Sequence, residues 1–139
     1  MFKNILIGVD GSEHACKAAK TAGELARCMG ANVRVVACFE RIPAHLGQPN
    51  LDEAIASHIA GAEQNLQMAL NEIGEIPGEL STELLEGSPA DTILAVAEVR
   101  SIDLIVMGTR GLGRLSSLLL GSQSQKVMAQ AQCPVMLVR

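Results

Sequence analysis

Short unbroken apolar runs alternate with stripes of helical period along this chain, and that alternation restricts the fold more than any other feature. The "ILI" within residues 3–9 is apolar without a polar alternate, the pattern of a parallel strand covered on both faces. Runs at 32–39, 80–86, 102–107 and 134–138 read as four more strands. Four helical stretches lie between them. Ser12 caps the first and Glu13 sits near its N-terminal dipole. Ala15, Ala18, Ala19, Ala22, Leu25, Ala26 and Met29 fall on one stripe of it, and Gly30 ends it. A Pro/Gly-bearing loop, "ERIPAHLGQPN", leads to a long helix at 51–73. In "GSPADTILAVAEV", Ser88 reads as the N-cap, Pro89 as the first helical residue and Asp91 as a capping-box acid. The last helix reads as 123–131. Five strands interleaved with four helices, without an internal repeat, predict one α/β domain over residues 1–139. It is doubly wound, with right-handed crossovers that put helices on both faces of a parallel sheet.

The core of such a domain has to be aliphatic. Hydrophobic residues fill 48% of the 139 positions but aromatic ones only 1%, with Phe2 and Phe39 the sole rings. Scarce aromatics therefore argue against functions built on ring stacking, and a net charge of -4 argues against a dedicated nucleic-acid binder. Cys16, Cys28, Cys38 and Cys133 form neither a C-x-x-C pair nor a metal-ligand spacing, so they read as reduced, mostly buried thiols. The apolar run in "MFKNILIGVDGS" is too short for a signal peptide, and no stretch approaches a membrane span. A cytoplasmic protein without membrane insertion is the expectation.

Ligands of doubly wound sheets bind beyond the carboxyl ends of the strands, where the strand order reverses. The loops after strands one and four are then the ones to examine. Strand one runs into "GVDGS", with Asp10 at its end. Strand four runs into "MGTRGLGRLSSLLLGS", too glycine-rich for a helix and too punctuated for a strand. Glycines let a backbone approach an anion, and the free N–H groups at a helix entrance, with the Ser122 hydroxyl, would cradle phosphate. Charge agrees: all 15 Asp and Glu residues lie at or before Asp103, whereas Arg110, Arg114, Lys126 and Arg139 follow it. The same residues would also serve a loop that merely turns the chain, with Ser122 merely capping a helix. Familiar phosphate motifs do not fit. No G-x-x-x-x-G-K-[ST] occurs, and "GLGRLS" lacks the third glycine of the dinucleotide fingerprint and follows the wrong strand.

The stretch does match G-x2-G-x9-G-[ST], through Gly108, Gly111, Gly121 and Ser122. With "ILIGVDGS", "DLIVMGTRG" and the closing "CPVMLVR" in the same order, the chain resembles the universal stress protein family throughout. The resemblance implies a Rossmann-like sheet of order 3-2-1-4-5 that binds ATP, or ADP or AMP, at the switch point. Gly8, Val9 and Asp10 would then line the nucleoside end, with Asp10 accepting from ribose hydroxyls. Cys38 would face adenine through its backbone rather than its thiol. Met107, Gly108, Thr109, Arg110 and Gly111 would wrap the ribose and phosphates, while Gly121, Ser122, Gln123 and Ser124 would donate to the phosphates. Mg would be held through those phosphates, with no protein side chain assigned to it. Arg110 and Arg114 would neutralise charge or point to solvent. The loop carrying His45 would overlie the base, and His14 and His58 read as ordinary surface residues.

The function so implied is nucleotide binding in stress response or signalling, with a downstream protein partner and no catalytic residue assigned. The alternative is slow ATP hydrolysis or ATP-dependent nucleotidyl transfer on the same fold. The Ser-Gly-Gly loop and the His-Ile-Gly-His signature of related adenylating enzymes are absent, and Asp10 reads as the only acid near the site. A phospho-accepting receiver would need an aspartate closing strand three, which instead ends "LLEGS". Finally, "CPVMLVR" has no following helix to cover it. As the edge strand of the implied order, it is expected to pair with a second copy in a homodimer.

Overall fold

The fold was described from a computed structural model covering residues 1–43, 45, 47, 50–110 and 120–139. The elements follow in the order β1 (Asn4–Val9), α1 (Glu13–Met29), β2 (Asn32–Phe39), α2 (Asn50–Ile73) and β3 (Leu80–Glu86). Then come α3 (Pro89–Val99), β4 (Leu104–Gly108), α4 (Ser122–Gln130) and β5 (Val135–Val138). All strand pairs are parallel and the sheet order is β3-β2-β1-β4-β5. From β1 the chain winds outward to β3; it then crosses back to β4 beside β1 and winds the other way. The reversal leaves a crevice between the ends of β1 and β4.

The unbroken apolar runs have a direct cause in the two cores. Ile5, Ile7, Val33, Val35 and Val106 pack with the alanine stripe of α1 and with Ala62, Ala69 and Ile73 of α2. Leu6, Val36, Ile105 and Met107 point the other way, onto Ala90, Ile93 and Val96 of α3 and Val127 of α4. Each central strand is buried on both faces, so neither periodic position is left polar. Alanine on the buried stripe of α1 keeps that helix close to the sheet. Its ends are fixed locally: the Ser12 hydroxyl accepts from the Ala15 N–H, and Gly30 takes the left-handed conformation (φ 68°) that closes it.

Two boundaries and one cap differ from the sequence reading, each for a visible reason. Residues 102 and 103 belong to the turn before β4. The Ile102 N–H donates to the Ala97 carbonyl, and the Asp103 carboxylate accepts from the N–H groups of Lys3 and Asn4, securing the start of β1. Ser88 is the N-cap of α3, but its hydroxyl donates to Asp91 Oδ2 (2.8 Å) instead of accepting a backbone bond. In α4, Gly121 is the N-cap and Ser122 the first helical residue.

β5 is a sheet edge, as the resemblance implied. Its side chains are nevertheless half-buried: Met136 and Val138 pack on the α1 side and Val135 and Leu137 on the α4 side. What the edge offers is backbone rather than bare apolar surface. Among the described residues, no helix is long and apolar enough to cross a membrane.

Candidate functional site: a crevice at the switch point

A cleft of about 470 Å³ opens at the carboxyl ends of β1, β2 and β4, between the starts of α3 and α4. Its lining is of two chemical kinds. One part is apolar: Gly8, Val36, Cys38, Pro89, Ile93 and Met107. Gly8 lets the Ile93 Cδ1 methyl settle against the strand, and a Cβ there would push that methyl aside. The Cys38 thiol lies 2.6 Å from the Thr92 hydroxyl. Either group can donate in that contact, and the Thr92 hydroxyl also lies 3.0 Å from the Ser88 and Pro89 carbonyls. Burial pushes the Cys38 pKa up, only partly opposed by the Thr92 bond, so it stays a protonated wall and not a nucleophile.

The other part is polar. Asp10 spends one carboxylate oxygen on the Ser12 N–H (2.9 Å), and one remains to accept from a ligand. Glu40 also lines the cleft, which corrects the reading of Asp10 as the only acid near the site. Arg110 lines it and supplies positive charge. The start of α4 has no acidic residue in its first turn and no side-chain cap. Its groups are not all free, however. The Gly121 N–H donates to the Thr109 carbonyl (2.7 Å), and the Ser124 hydroxyl to the Gly108 carbonyl (2.8 Å). The Gln123 amide oxygen accepts from the Ala90 N–H (2.9 Å), capping α3. What remains for an anion is the set of backbone N–H groups of Ser122, Gln123 and Ser124, which have no intrahelical acceptor, and the exposed Ser122 hydroxyl.

Gly8, Val9, Asp10, Cys38, Met107, Gly108 and Arg110 of the sequence-predicted set line the cleft, as do Gly121, Ser122, Gln123 and Ser124. Thr109 does not. It is buried behind the cleft, 6% exposed, with its hydroxyl bonded to His14 Nδ1 (2.8 Å). His14 is thus half-buried and engaged, not an ordinary surface residue. Gly111 and Arg114 lie outside the described residues. His45 is exposed and, among the described residues, does not line the cleft; His58 is exposed on α2.

Sequence reasoning missed Ser12, Ala15, Val36, Glu40, Pro89 and Ile93 as lining residues. Pro89 and Ile93 reach the cleft because α3 and α4 cover the same face of the sheet, where Gln123 of α4 caps the start of α3. Among the described residues, no group of three or more His, Cys, Asp or Glu could hold a metal ion.

The sequence profile described as "Universal stress protein family" matches residues 1–139. The chain is 49% identical over 139 residues to "Universal stress protein in QAH/OAS sulfhydrylase 3'region" of Thermus aquaticus, covering 100% of both chains. Its fold superposes on universal stress protein UspA from Lactobacillus plantarum with a TM-score of 0.87 at 28% identity, covering 99% of this chain and 98% of that one. A universal stress protein solved in complex with cAMP gives a TM-score of 0.72 at 21% identity, covering 99% and 95%, a likeness of fold.

Proposed function

Since the chain belongs to the universal stress protein family, we propose that it binds an adenine nucleotide, ATP in particular, in the switch-point crevice. Occupancy of the crevice is then the signal that a protein partner reads in stress response. The observation that carries this reading is the mixed chemistry of the cleft lining, part apolar and part polar. Its apolar part, closed by Ile93 over Gly8, fits a nucleobase. Its polar part offers a carboxylate oxygen of Asp10 for ribose hydroxyls, and the free N–H groups of Ser122 to Ser124 for phosphate oxygens. About 470 Å³ is also within the usual range for small-molecule sites. That a protein of the same fold has been solved with cAMP is in keeping with an adenine nucleotide here.

The donor set suits Mg held through phosphates. Mg²⁺ keeps several waters and takes one or two carboxylates beside phosphate oxygens, and Asp10 and Glu40 are the carboxylates at this cleft. When bound, Mg would offset the repulsion between those carboxylates and a polyphosphate. The test is direct: protein purified without added nucleotide is denatured and the supernatant analysed by chromatography and mass spectrometry. Release of ATP, ADP or AMP is expected. Release of a non-adenine ligand in stoichiometric amount would replace this reading.

The same reading extends to a homodimer through β5. The outer edge of that strand has no neighbour in the sheet, and pairing with a second copy about a two-fold axis would satisfy its backbone groups. Sedimentation at tens of micromolar should give twice the 14.6 kDa chain mass. A compact monomer there would remove the dimer and leave the nucleotide site intact.

A further inference from the structure

The phosphate-facing start of α4 is held by a junction at the end of β4 where four elements meet. The Thr109 N–H donates to the Val138 carbonyl (2.9 Å), the Thr109 carbonyl accepts the Gly121 N–H (2.7 Å), and the Gly108 carbonyl accepts the Ser124 hydroxyl (2.8 Å). The remaining polar atom of the junction, the Thr109 hydroxyl, is bonded to His14 Nδ1. His14 comes from the first turn of α1, which is pressed directly onto β4. A Cβ on Gly108 would lie 2.7 Å from His14 Cβ and 2.8 Å from its carbonyl carbon. The imidazole is therefore carried on a fixed backbone and buttresses a buried threonine, and that threonine's carbonyl holds the N-cap of α4.

We propose that His14 is a positioning residue for the phosphate end of the crevice, acting through Thr109 and without touching the ligand. The proposal rests on the nucleotide reading above. His14 is absent from the cleft lining, so its influence has to pass through the junction. Without the imidazole, the Thr109 hydroxyl is left buried and unpaired, which favours a shift of residue 109 and with it of Gly121. Small shifts there matter because hydrogen bonds from the α4 N–H groups weaken steeply as their angle degrades. The base-sized slot is built mainly from β1, β2 and α3, with Met107 of β4 its one residue near the junction, so loss of His14 should affect it far less.

Calorimetric titrations with ATP and with adenosine, on wild type, His14→Leu and His14→Asn, separate these ends. Asparagine keeps a hydrogen-bonding atom near the position of Nδ1, whereas leucine fills similar space without one. ATP binding is expected to weaken about fivefold in His14→Leu, the usual effect of one lost hydrogen bond, and to recover to within about twofold in His14→Asn. Adenosine should bind all three alike. If His14→Leu folds poorly, Thr109→Val removes the same bond from the other side. Its loss should be in the same direction but no larger, since valine leaves no buried hydroxyl unpaired, and the double variant should be no weaker than His14→Leu alone. Unchanged ATP affinity in His14→Leu overturns the proposal, and so does an equal loss for ATP and adenosine, which would mark a general distortion. If wild type binds no ATP at all, the nucleotide reading itself fails and this inference falls with it; unchanged affinity in the variant fells only the inference.

Discussion

Two helices start beside the crevice from opposite ends of the sheet's reversal, and their first turns are built in opposite ways. α1 satisfies itself. Ser12 caps the Ala15 N–H, Asp10 accepts from the Ser12 N–H, and Glu13 places a carboxylate at the positive end of the helix. α4 begins with Gly121, has no side-chain cap and carries no acid in its first turn. A helix start normally gains from a cap and an acidic residue, about 1 kcal/mol for the cap and about 0.3–1 kcal/mol for the charge. α4 forgoes both, while its surroundings are fixed by Thr109, Gly108 and Ala90. Rigid placement combined with unsatisfied donors is what an anion site needs and what a plain turn does not. The contrast teaches that stability and binding pull in different directions at the two helix starts.

Making α4 resemble α1 should therefore improve the fold and damage the site. Ser122→Glu puts a carboxylate where phosphate would sit. The expectation is ATP binding weaker by at least about fivefold, from charge repulsion of about 1–4 kcal/mol at contact distance. The ligand-free protein should meanwhile melt higher, by the dipole gain of about 0.3–1 kcal/mol. Calorimetry and thermal melting of the same preparation check both signs; a loss of stability together with a loss of affinity would mean the variant is simply misfolded.

The converse change lowers stability at the other helix. Ser12→Ala removes the cap of α1 and should cost about 1 kcal/mol in urea denaturation. A cost near zero would mean that the closed start of α1 is held by something other than its cap, and the contrast would lose one side.

A smaller effect is expected from Gly121→Ser. Its backbone (φ −69°, ψ 158°) accepts any residue, and a serine hydroxyl would compete for the Ser124 N–H. Stability should rise by only a few tenths of a kcal/mol, with ATP weaker by about threefold. Equal or tighter ATP binding would indicate that the Ser124 N–H is not used.

The smallest effect concerns pH. Lys126, hydrogen-bonded to Asp91 at 2.7 Å, lowers that carboxyl below its ordinary value of 3.8, helped by the Ser88 hydroxyl. A depressed folded-state pKa adds stability above the unfolded value and loses it as pH falls through the folded one. This clamp between α3 and α4 should therefore stay intact from neutral pH down to about 4 and open only below it. Asp91 is fully solvated, so the change should be slight, visible as a ¹³C carboxyl titration rather than as unfolding. A midpoint at or above the ordinary aspartate value would contradict it.

Much of this architecture is legible in the sequence because local and global signals coincide. β2 and β3 are bounded by turn residues and pair in register along their length, and Ser12 and Gly30 are unambiguous ends of α1. The strand order came only through resemblance; nothing in the spacing alone puts β4 beside β1. Of the site, the glycines and Asp10 could be read off the chain, since their roles are local. Glu40, Pro89 and Ile93 could not: Glu40 follows β2 with no motif to mark it, and Pro89 and Ile93 reach the cleft only when α3 and α4 lie side by side. Nor could the commitments of Gln123 to Ala90, Ser124 to Gly108 and His14 to Thr109, contacts across 33, 16 and 95 positions. Such bonds leave no local pattern, yet they decide which donors at α4 are free.

The central claim, that the open start of α4 and the slot beneath Ile93 together hold an adenine nucleotide, is most directly tested by melting. Protein first stripped of nucleotide is heated with and without Mg-ATP about a hundredfold above its dissociation constant. Linkage then gives about 2.7 kcal/mol, or a rise of about 5–10 °C for a domain of this size. The absence of any shift with ATP, ADP and AMP alike would contradict the claim.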